Sequence, residues 1–148
     1  MNALKWKNLP IPEGHVLPLC VGLALQVFFP RPLFKSSRLK SIFGWPFLLL
    51  GALLVAWAVG AVRDVDIERP NRVIDSGPYR FSRNPMYVGW TLIYAGLVVL
   101  VNTCWLLIFL PGVLVFTHFF AIRQEEQRLA REFDESYRRY SASVRRYL

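Results

Sequence analysis

Two polar stretches carry the side chains with which this sequence could bind a charged small molecule. The first is GPYRFSRNPMYVGW, residues 77–90, which runs directly into an apolar segment. Asn84 is a good N-cap and Pro85 is favoured at the first helical position, so a helix is predicted to begin there. Arg80 and Arg83 then lie beside a helix N-terminus that is already positive, and they require an anion. Lipid phosphate, a protein carboxylate and a bound carboxylate or phosphate all meet this requirement.

The second stretch is the basic C-terminal tail, in which Glu125 and Glu126 stand out. Glu126 comes three residues before Leu129 and seven before Phe133, on the apolar face of a predicted helix. A carboxylate on a buried face at a membrane boundary is costly unless it is paired. Arg123 or an arginine of the first stretch can pair with it. The two glutamates therefore form either a structural ion pair or part of a binding site.

His118 lies eight residues before Glu126, on roughly the same helix face. A single histidine in an apolar segment packs against its neighbours more often than it binds a ligand. Its imidazole is still a candidate to contact a substrate.

The composition indicates a membrane protein rather than a nucleic-acid binder. Of the 148 residues, 54% are hydrophobic and 19% are charged, and the apolar residues come in blocks. The formal net charge of +8 suits anionic lipid headgroups, and no nucleic-acid-binding motif is present in the sequence. Cys20 and Cys104 lie in apolar stretches without a CxxC pattern or a histidine cluster. Neither a metal site nor a disulfide is therefore expected.

Four apolar segments are candidates for membrane helices. A spanning helix needs about 20 apolar residues, and the second segment provides 21 uncharged residues and the fourth 19. Asn102 and Thr103 alone separate the third and fourth segments, which predicts a helical hairpin. We expect a single all-α domain, residues 1–148: a polytopic membrane protein with about four transmembrane helices, a cytoplasmic loop and a C-terminal amphipathic helix. The expected spans are residues 15–30, 42–62, 86–101 and 104–122.

The distribution of Lys and Arg predicts how the chain is oriented. Four spans would put both termini and the loop 63–84 on the same side of the membrane. That side would hold 14 of the 18 Lys and Arg residues, and the opposite side would hold 4. The richer side is expected to face the cytoplasm. The predicted location is therefore the cytoplasmic membrane or its equivalent, with both termini cytoplasmic.

The apolar residues of the tail recur at intervals of three or four. This spacing predicts an amphipathic helix that lies at the level of the lipid headgroups. The residues are Leu129, Phe133, Tyr137, Tyr140, Val144 and Tyr147.

The polar motifs resemble those of a known group of membrane enzymes. RVIDSGPYRFSRNPMYVGW, a hairpin, and EEQRLAREFDESYRRYSASVRRYL are similar to the isoprenylcysteine carboxyl methyltransferases and phospholipid N-methyltransferases. The resemblance covers residues 73–148. It implies a membrane-embedded methyltransferase that uses S-adenosylmethionine. In that group the loop and tail enclose the cofactor, and a lipid acceptor enters from the bilayer.

The resemblance also implies roles for individual residues. Arg83 and Glu126 would be catalytic. The tail residues Tyr137, Tyr140 and Arg145 would close the site, and with His118 they are the candidates for substrate contact; no metal is implied. The implied cofactor-binding residues are Gly77, Tyr79, Arg83, Asn84, Pro85, Tyr87, Glu125 and Glu126.

Three positions depart from the pattern of the group. Asn84 stands where the carboxyl methyltransferases usually have His, which leaves the acceptor open. Asp134 replaces the usual Gly, and Ser143 stands near the position of a Pro before the final arginine. These two changes leave the geometry of the tail open.

The residues suit methyl transfer from a sulfonium, for which a protein mainly positions the reactants and excludes water. Arg83 or Arg80 can hold the methionyl carboxylate, and Glu126 can bind the amino group or a ribose hydroxyl. The carboxylate of a prenylated thiol compound needs no general base as acceptor. A phospholipid amine must lose a proton, and Glu125, Glu126 or His118 can accept it.

Two other functions are compatible with the sequence. Some sterol reductases share this membrane architecture, although nothing in the chain requires a nicotinamide phosphate site. A small membrane protein that binds anionic lipid without catalysis is the other alternative.

Overall fold

The structure is a computed structural model that describes residues 12–63, 65 and 70–147. In this part of the chain every regular element is helical, which confirms the all-α class. The elements are α1 (Glu13–Phe28), α2 (Ser37–Ala61), a 3₁₀ turn (Gly77–Arg80), α3 (Pro85–Val101), α4 (Cys104–Phe116), a π-helical turn (Thr117–Ala121) and α5 (Ile122–Ser143). Lys5, Lys7 and Arg69, which contribute to the predicted orientation, lie outside the described residues.

The helices present most of their apolar side chains on the outside. Two continuous helices are long and apolar enough to cross a membrane, namely Ser37–Ala61 and Cys104–Ser143, while α1 and α3 are shorter apolar helices. In α2, Leu49, Leu53 and Trp57 are each more than half exposed. Contiguous apolar surface of this kind marks contact with lipid or another protein. Crossing of the membrane by all four helices remains a prediction.

Helices α2 and α3 pack antiparallel through glycines two turns apart on each helix. A Cβ added at Gly51 would lie 2.6 Å from the Gly89 carbonyl oxygen, and one at Gly96 would lie 2.7 Å from the Leu48 nitrogen and 3.0 Å from the Gly44 oxygen. The backbones touch where these side chains are missing, which is the usual way for helices to approach closely in a membrane.

We predict that Gly51→Ala destabilises the fold by about 2 kcal/mol, because the new methyl group must push the α3 backbone away. Gly60→Ala is the matched control: it lies in the same helix, and its added Cβ would meet nothing within 4 Å. The control should leave stability unchanged or raise it by up to about 1 kcal/mol. Thermal unfolding in detergent micelles, followed by circular dichroism, measures both. Equal stability of the two variants would contradict the close packing.

The predicted hairpin between α3 and α4 is present. Asn102 ends α3 in the left-handed conformation (φ 60°), and the hydroxyl of Thr103 accepts a hydrogen bond from the Trp105 amide to cap α4. The Asn102 side chain accepts hydrogen bonds from the amides of Leu33 and Phe34 at 3.0 and 2.7 Å. The turn therefore also fixes the segment between α1 and α2.

The tail is not the single regular helix that its sequence spacing predicts. The backbone of Asp134 is non-helical, with φ 34° and ψ −106°, and α5 bends there. The bend brings Arg146 back to Glu126, 20 residues earlier, with 2.6 Å between nitrogen and oxygen. One straight helix would hold residues 20 apart about 30 Å from each other.

We predict that Asp134→Gly is more stable than Asp134→Ala by about 1–2 kcal/mol, because only glycine adopts a positive φ without a Cβ clash. Both variants lose the exposed Asp134–Arg138 ion pair at 3.6 Å, so their difference isolates the backbone. Chemical unfolding in micelles gives the two free energies. A glycine variant no more stable than the alanine variant would mean that this bend is not strained.

The ends of several elements meet at one end of the bundle. The start of α1, the end of α2, the start of α3 and the π-helical turn surround a common space there. The other end of the bundle is tied by the Asn102 turn and by a hydrogen bond from Trp105 Nε1 to the Phe29 carbonyl (2.7 Å). The polar motifs of the sequence therefore lie together at one end.

Candidate active site

A cavity of about 640 Å³ opens where the loop, α3 and α5 meet. Its volume is typical of a small-molecule site. Nine of the site residues predicted from the sequence line its wall: Tyr79, Arg83, Asn84, Pro85, Tyr87, Glu125, Glu126, Tyr137 and Tyr140.

The carboxylate of Glu126 holds two guanidinium groups at the cavity wall. Arg83 Nη1 lies 3.2 Å from Oε1. Arg146 binds both oxygens, with Nε 3.1 Å from Oε1 and Nη2 2.6 Å from Oε2. The side chains of Glu126 and Arg83 are only 14% and 16% exposed. Charge-assisted bonds of this kind are stronger when they are shielded from water, and the bidentate one also fixes orientation.

The backbone of the tail is bound to the loop beside this cluster. The Arg83 amide donates to the Arg145 carbonyl at 2.9 Å. The Asn84 side-chain amide donates to the Arg146 carbonyl at 3.1 Å, and the Ser82 hydroxyl donates to the same oxygen at 3.3 Å. Asn84 is at the predicted N-cap position of α3, but its side chain makes no cap hydrogen bond. It binds the tail instead.

Two tyrosines beyond the bend complete the contact between tail and loop. The Tyr140 hydroxyl donates to the Tyr79 carbonyl at 2.8 Å. Burial raises the pKa of the Tyr137 phenol and Glu126 adds to this effect, while the nearby Arg83 guanidinium opposes it. Burial raises the pKa of both Tyr79 and Tyr140. These phenols therefore stay neutral and act as hydrogen-bonding and packing groups.

Glu125 faces the cavity without an arginine in bidentate contact. The Tyr87 side chain lies beside its carboxylate. Burial raises the pKa of Glu125 above the ordinary glutamate value, and the neighbouring Arg128 opposes part of this effect. The two adjacent glutamates therefore differ in environment.

We predict that Glu125→Gln raises stability at neutral pH and flattens its pH dependence. Because the folded pKa is raised, the native state binds more protons than the unfolded state between the ordinary and the raised value. Wild-type stability must then fall as pH rises through that interval. Chemical unfolding in micelles at a series of pH values measures the slope. A slope that is the same in wild type and variant would exclude Glu125 as its source.

Two buried nitrogen atoms of cavity residues have no hydrogen-bond partner in the described part of the chain. They are Arg83 Nε and Trp90 Nε1. A buried donor left without a partner costs about 1–3 kcal/mol. A bound molecule whose acceptor atoms reached these donors would remove that cost.

The remaining sequence candidates lie elsewhere. Gly77 has φ +58°, and a Cβ there would come within 2.9 Å of the Ala61 side chain, so its role is in the shape of the loop. Arg145 presents its carbonyl to the loop while its side chain is exposed, and Arg80 is exposed. His118 lies in the π-helical turn and contacts Tyr147.

Sequence reasoning missed Arg146 and Trp90. Arg146 is next to Arg145 in the sequence, and the bend at Asp134 determines which of the two reaches Glu126. Trp90 is one turn beyond Met86 on α3, in the quoted motif. It lines the cavity, and its Nε1 has no hydrogen-bond partner among the described residues. Within the described residues, no group of three or more His, Cys, Asp or Glu side chains could hold a metal ion.

A sequence model of the phospholipid methyltransferase family matches residues 39–136. Because this is more than half of the chain, the protein belongs to that family. The match begins in α2 and ends in α5, so it includes the loop, the hairpin and both glutamates. No curated protein and no solved structure gives a significant match. The family resemblance is thus confirmed, and membership supports methyl transfer as the type of reaction.

Proposed function

We propose that this protein transfers a methyl group from S-adenosylmethionine to a lipid-like acceptor in the membrane. The observation that carries the proposal is the pair of unpartnered donors, Arg83 Nε and Trp90 Nε1, in a cavity whose wall also holds Glu126. Family membership supports the reaction type. The cavity supports a small, polar cofactor.

The donor and acceptor groups fit the polar parts of S-adenosylmethionine. Arg83 can bind the methionyl carboxylate, since its Nε has no other partner and guanidinium pairs well with carboxylate. Glu125 and Glu126 offer carboxylate oxygens to an amino group or to ribose hydroxyls. Tyr79, Tyr87 and Trp90 offer ring faces and edges to the adenine. When bound, the cofactor would supply a methyl group already activated by positive sulfur.

The protein's own contribution is to position the reactants and exclude water. The tail segment from Tyr137 to Arg146 covers the loop through the bonds to Arg83, Asn84 and Tyr79. A dry, fixed site favours a displacement in which charge is dispersed. Arg83 and Glu126 thus bind and orient, and neither needs to form a covalent bond.

Two acceptor classes are compatible with this proposal. One is the carboxylate of a prenylated thiol compound, and the other is the amine of a phospholipid. Either acceptor would reach the cavity from the bilayer, because the apolar faces of α2 and α4 are largely exposed. We propose an integral membrane location with four spans and with the site on the cytoplasmic side.

The proposal predicts that the purified protein binds S-adenosylhomocysteine in detergent. Arg83→Gln and Glu126→Gln should each weaken binding at least tenfold, which corresponds to about 1.4 kcal/mol. Trp90→Phe keeps an aromatic ring, although a smaller one, and removes the Nε1–H donor. It should weaken binding several-fold. Isothermal titration calorimetry gives the dissociation constants.

Arg80→Gln is the matched control, because Arg80 belongs to the same motif but is exposed. Its affinity should equal that of the wild type. Circular dichroism and size-exclusion chromatography check that each variant is folded. Absence of binding at millimolar ligand, with the wild type folded, would overturn the proposal and favour a protein that only binds lipid.

A further inference from the structure

Four cationic side chains collect at the end of the bundle opposite the candidate active site. They fall within ten residues of the chain, in the segment between α1 and α2 and in the first turn of α2. We call them the far-end patch: Arg31, Lys35, Arg38 and Lys40. The first three are exposed, and Lys40 is partly buried.

The far-end patch has no acidic residue near it in the sequence. All 10 Asp and Glu residues come before residue 14, at residues 64–75, or after residue 124. The end of α1, the whole of α2 and the turn between α3 and α4 therefore contain none. None of the four cations forms an ion pair with a described residue. An anion that compensates them comes from outside this part of the chain.

Exposed arginines of α5 differ in this respect. Arg138 has Asp134 at 3.6 Å and Arg139 has Glu135 at 3.9 Å, each four residues earlier on the helix. Opposite charges at this spacing compensate each other locally. Positive charge without a carboxylate partner is therefore a property of the far-end patch and not of every exposed arginine.

The turn between α3 and α4 holds the backbone that carries the patch. The Asn102 side-chain amide donates to the Phe34 carbonyl at 2.8 Å, and the Cys104 amide donates to the Arg31 carbonyl at 2.8 Å. Two prolines flank Arg31 and restrict its backbone further. Because this segment is already ordered, a ligand of the patch would not have to bear the entropic cost of ordering it.

Large apolar side chains flank the patch in the sequence. Phe28 and Phe29 come just before it and Ile42 and Phe43 just after it, and each of the four is more than half exposed. Cations beside exposed apolar side chains are typical of the boundary between hydrocarbon and headgroups, where long cationic side chains extend to phosphate. A soluble anion would leave these apolar side chains uncovered, so the arrangement favours a lipid.

We propose that the far-end patch binds an anionic phospholipid in the leaflet opposite the candidate active site. The headgroup of a lipid such as phosphatidylglycerol supplies the missing negative charge, and its acyl chains cover the flanking apolar side chains. A zwitterionic lipid carries its own cation and compensates less. The bound lipid is a structural partner and not a methyl acceptor, because the bundle separates it from the cavity at Glu126. This inference is independent of the proposed function.

The proposal also accounts for a cost in the predicted orientation. The far-end patch is on the side that is expected to face away from the cytoplasm, against the usual bias of Lys and Arg. An anionic surface attracts each nearby Lys or Arg. A bound anionic lipid in that leaflet would therefore offset part of this cost.

Native mass spectrometry of the detergent-purified protein tests the lipid preference. The probes are phosphatidylglycerol and phosphatidylcholine with the same acyl chains, and the wild type should bind the first about fivefold more tightly or better. Lys35→Gln/Arg38→Gln should lower the affinity for phosphatidylglycerol about tenfold or more. The charge-conserving variant Lys35→Arg/Arg38→Lys should retain it. Equal affinity of the wild type for the two lipids would overturn the inference.

Arg138→Gln/Arg139→Gln is the matched control, because it removes the same two positive charges from exposed positions that have carboxylate partners. It should change the affinity for phosphatidylglycerol by less than about twofold. Equal losses in the two neutralised variants would show that total charge, and not the far-end patch, retains the lipid. Glycerol 3-phosphate in excess should not displace the lipid, and full displacement would mean that the patch binds a free anion instead. Either result would overturn the inference.

Thermal unfolding, followed by circular dichroism, gives a second readout. Phosphatidylglycerol should raise the unfolding temperature of the wild type and of the control by mass action, but not that of Lys35→Gln/Arg38→Gln. The affinity of Lys35→Gln/Arg38→Gln for S-adenosylhomocysteine should equal that of the wild type. Stabilisation by phosphatidylglycerol that persists in Lys35→Gln/Arg38→Gln would overturn this inference alone. Absence of S-adenosylhomocysteine binding by the wild type would overturn the proposed function and leave the lipid preference intact.

Discussion

The contact of Glu126 with two arginines is the interaction on which the candidate site depends. It joins three separate pieces of chain: the loop through Arg83, the start of α5 through Glu126, and the end of the tail through Arg146. Removing Glu126 would leave two guanidinium groups without their carboxylate, and that of Arg83 lies in a site largely shielded from water. Such a loss costs more than the ion pair itself contributes. The same ion pair therefore fixes the wall of the cavity and closes the tail over it. It also leaves Arg83 Nε buried without a hydrogen-bond partner among the described residues.

The bend at Asp134 makes this contact possible. A regular helix would carry Tyr137, Tyr140 and Arg146 away from the bundle, whereas the bent helix returns them to the loop. The positive φ at a residue with a Cβ is unfavourable. The hydrogen bonds of the tail backbone to Arg83 and Asn84 offset that cost. The strained backbone at Asp134 and the position of the tail over the site therefore depend on each other. The helix that contributes Glu125 and Glu126 also contributes Tyr137 and Tyr140, which contact the loop.

The bundle below the site serves mainly as a rigid support. The glycine contacts of α2 and α3 let two backbones touch, which fixes the start of α3 and with it the loop. The hairpin at Asn102 fixes α4 relative to α3, and the π-helical turn then changes the direction of side chains just before Glu125. Two cavities adjoin there and share Tyr87 and Thr117: charged and polar side chains form part of the wall of the one at Glu126, whereas the wall of the other is almost wholly apolar.

The sequence by itself determined the helical class, the hairpin and the start of α3 at Asn84 and Pro85. It also required an arginine beside Glu126, but left open whether Arg123 or an arginine of the loop supplies it. These are local or charge-based properties, which apolar periodicity, cap chemistry and the cost of a buried carboxylate reveal without coordinates. It did not reveal the glycine contact of α2 with α3, although the seven-residue spacing on both helices was a signal for it. Tertiary structure alone decided which tail arginine meets Glu126, which cavity His118 lines and which buried donors lack partners. These features depend on the bend at Asp134 and on the extra residue of the π-helical turn. Neither irregularity can be predicted from a hydrophobic repeat, because each is stabilised by contacts with residues distant in the sequence.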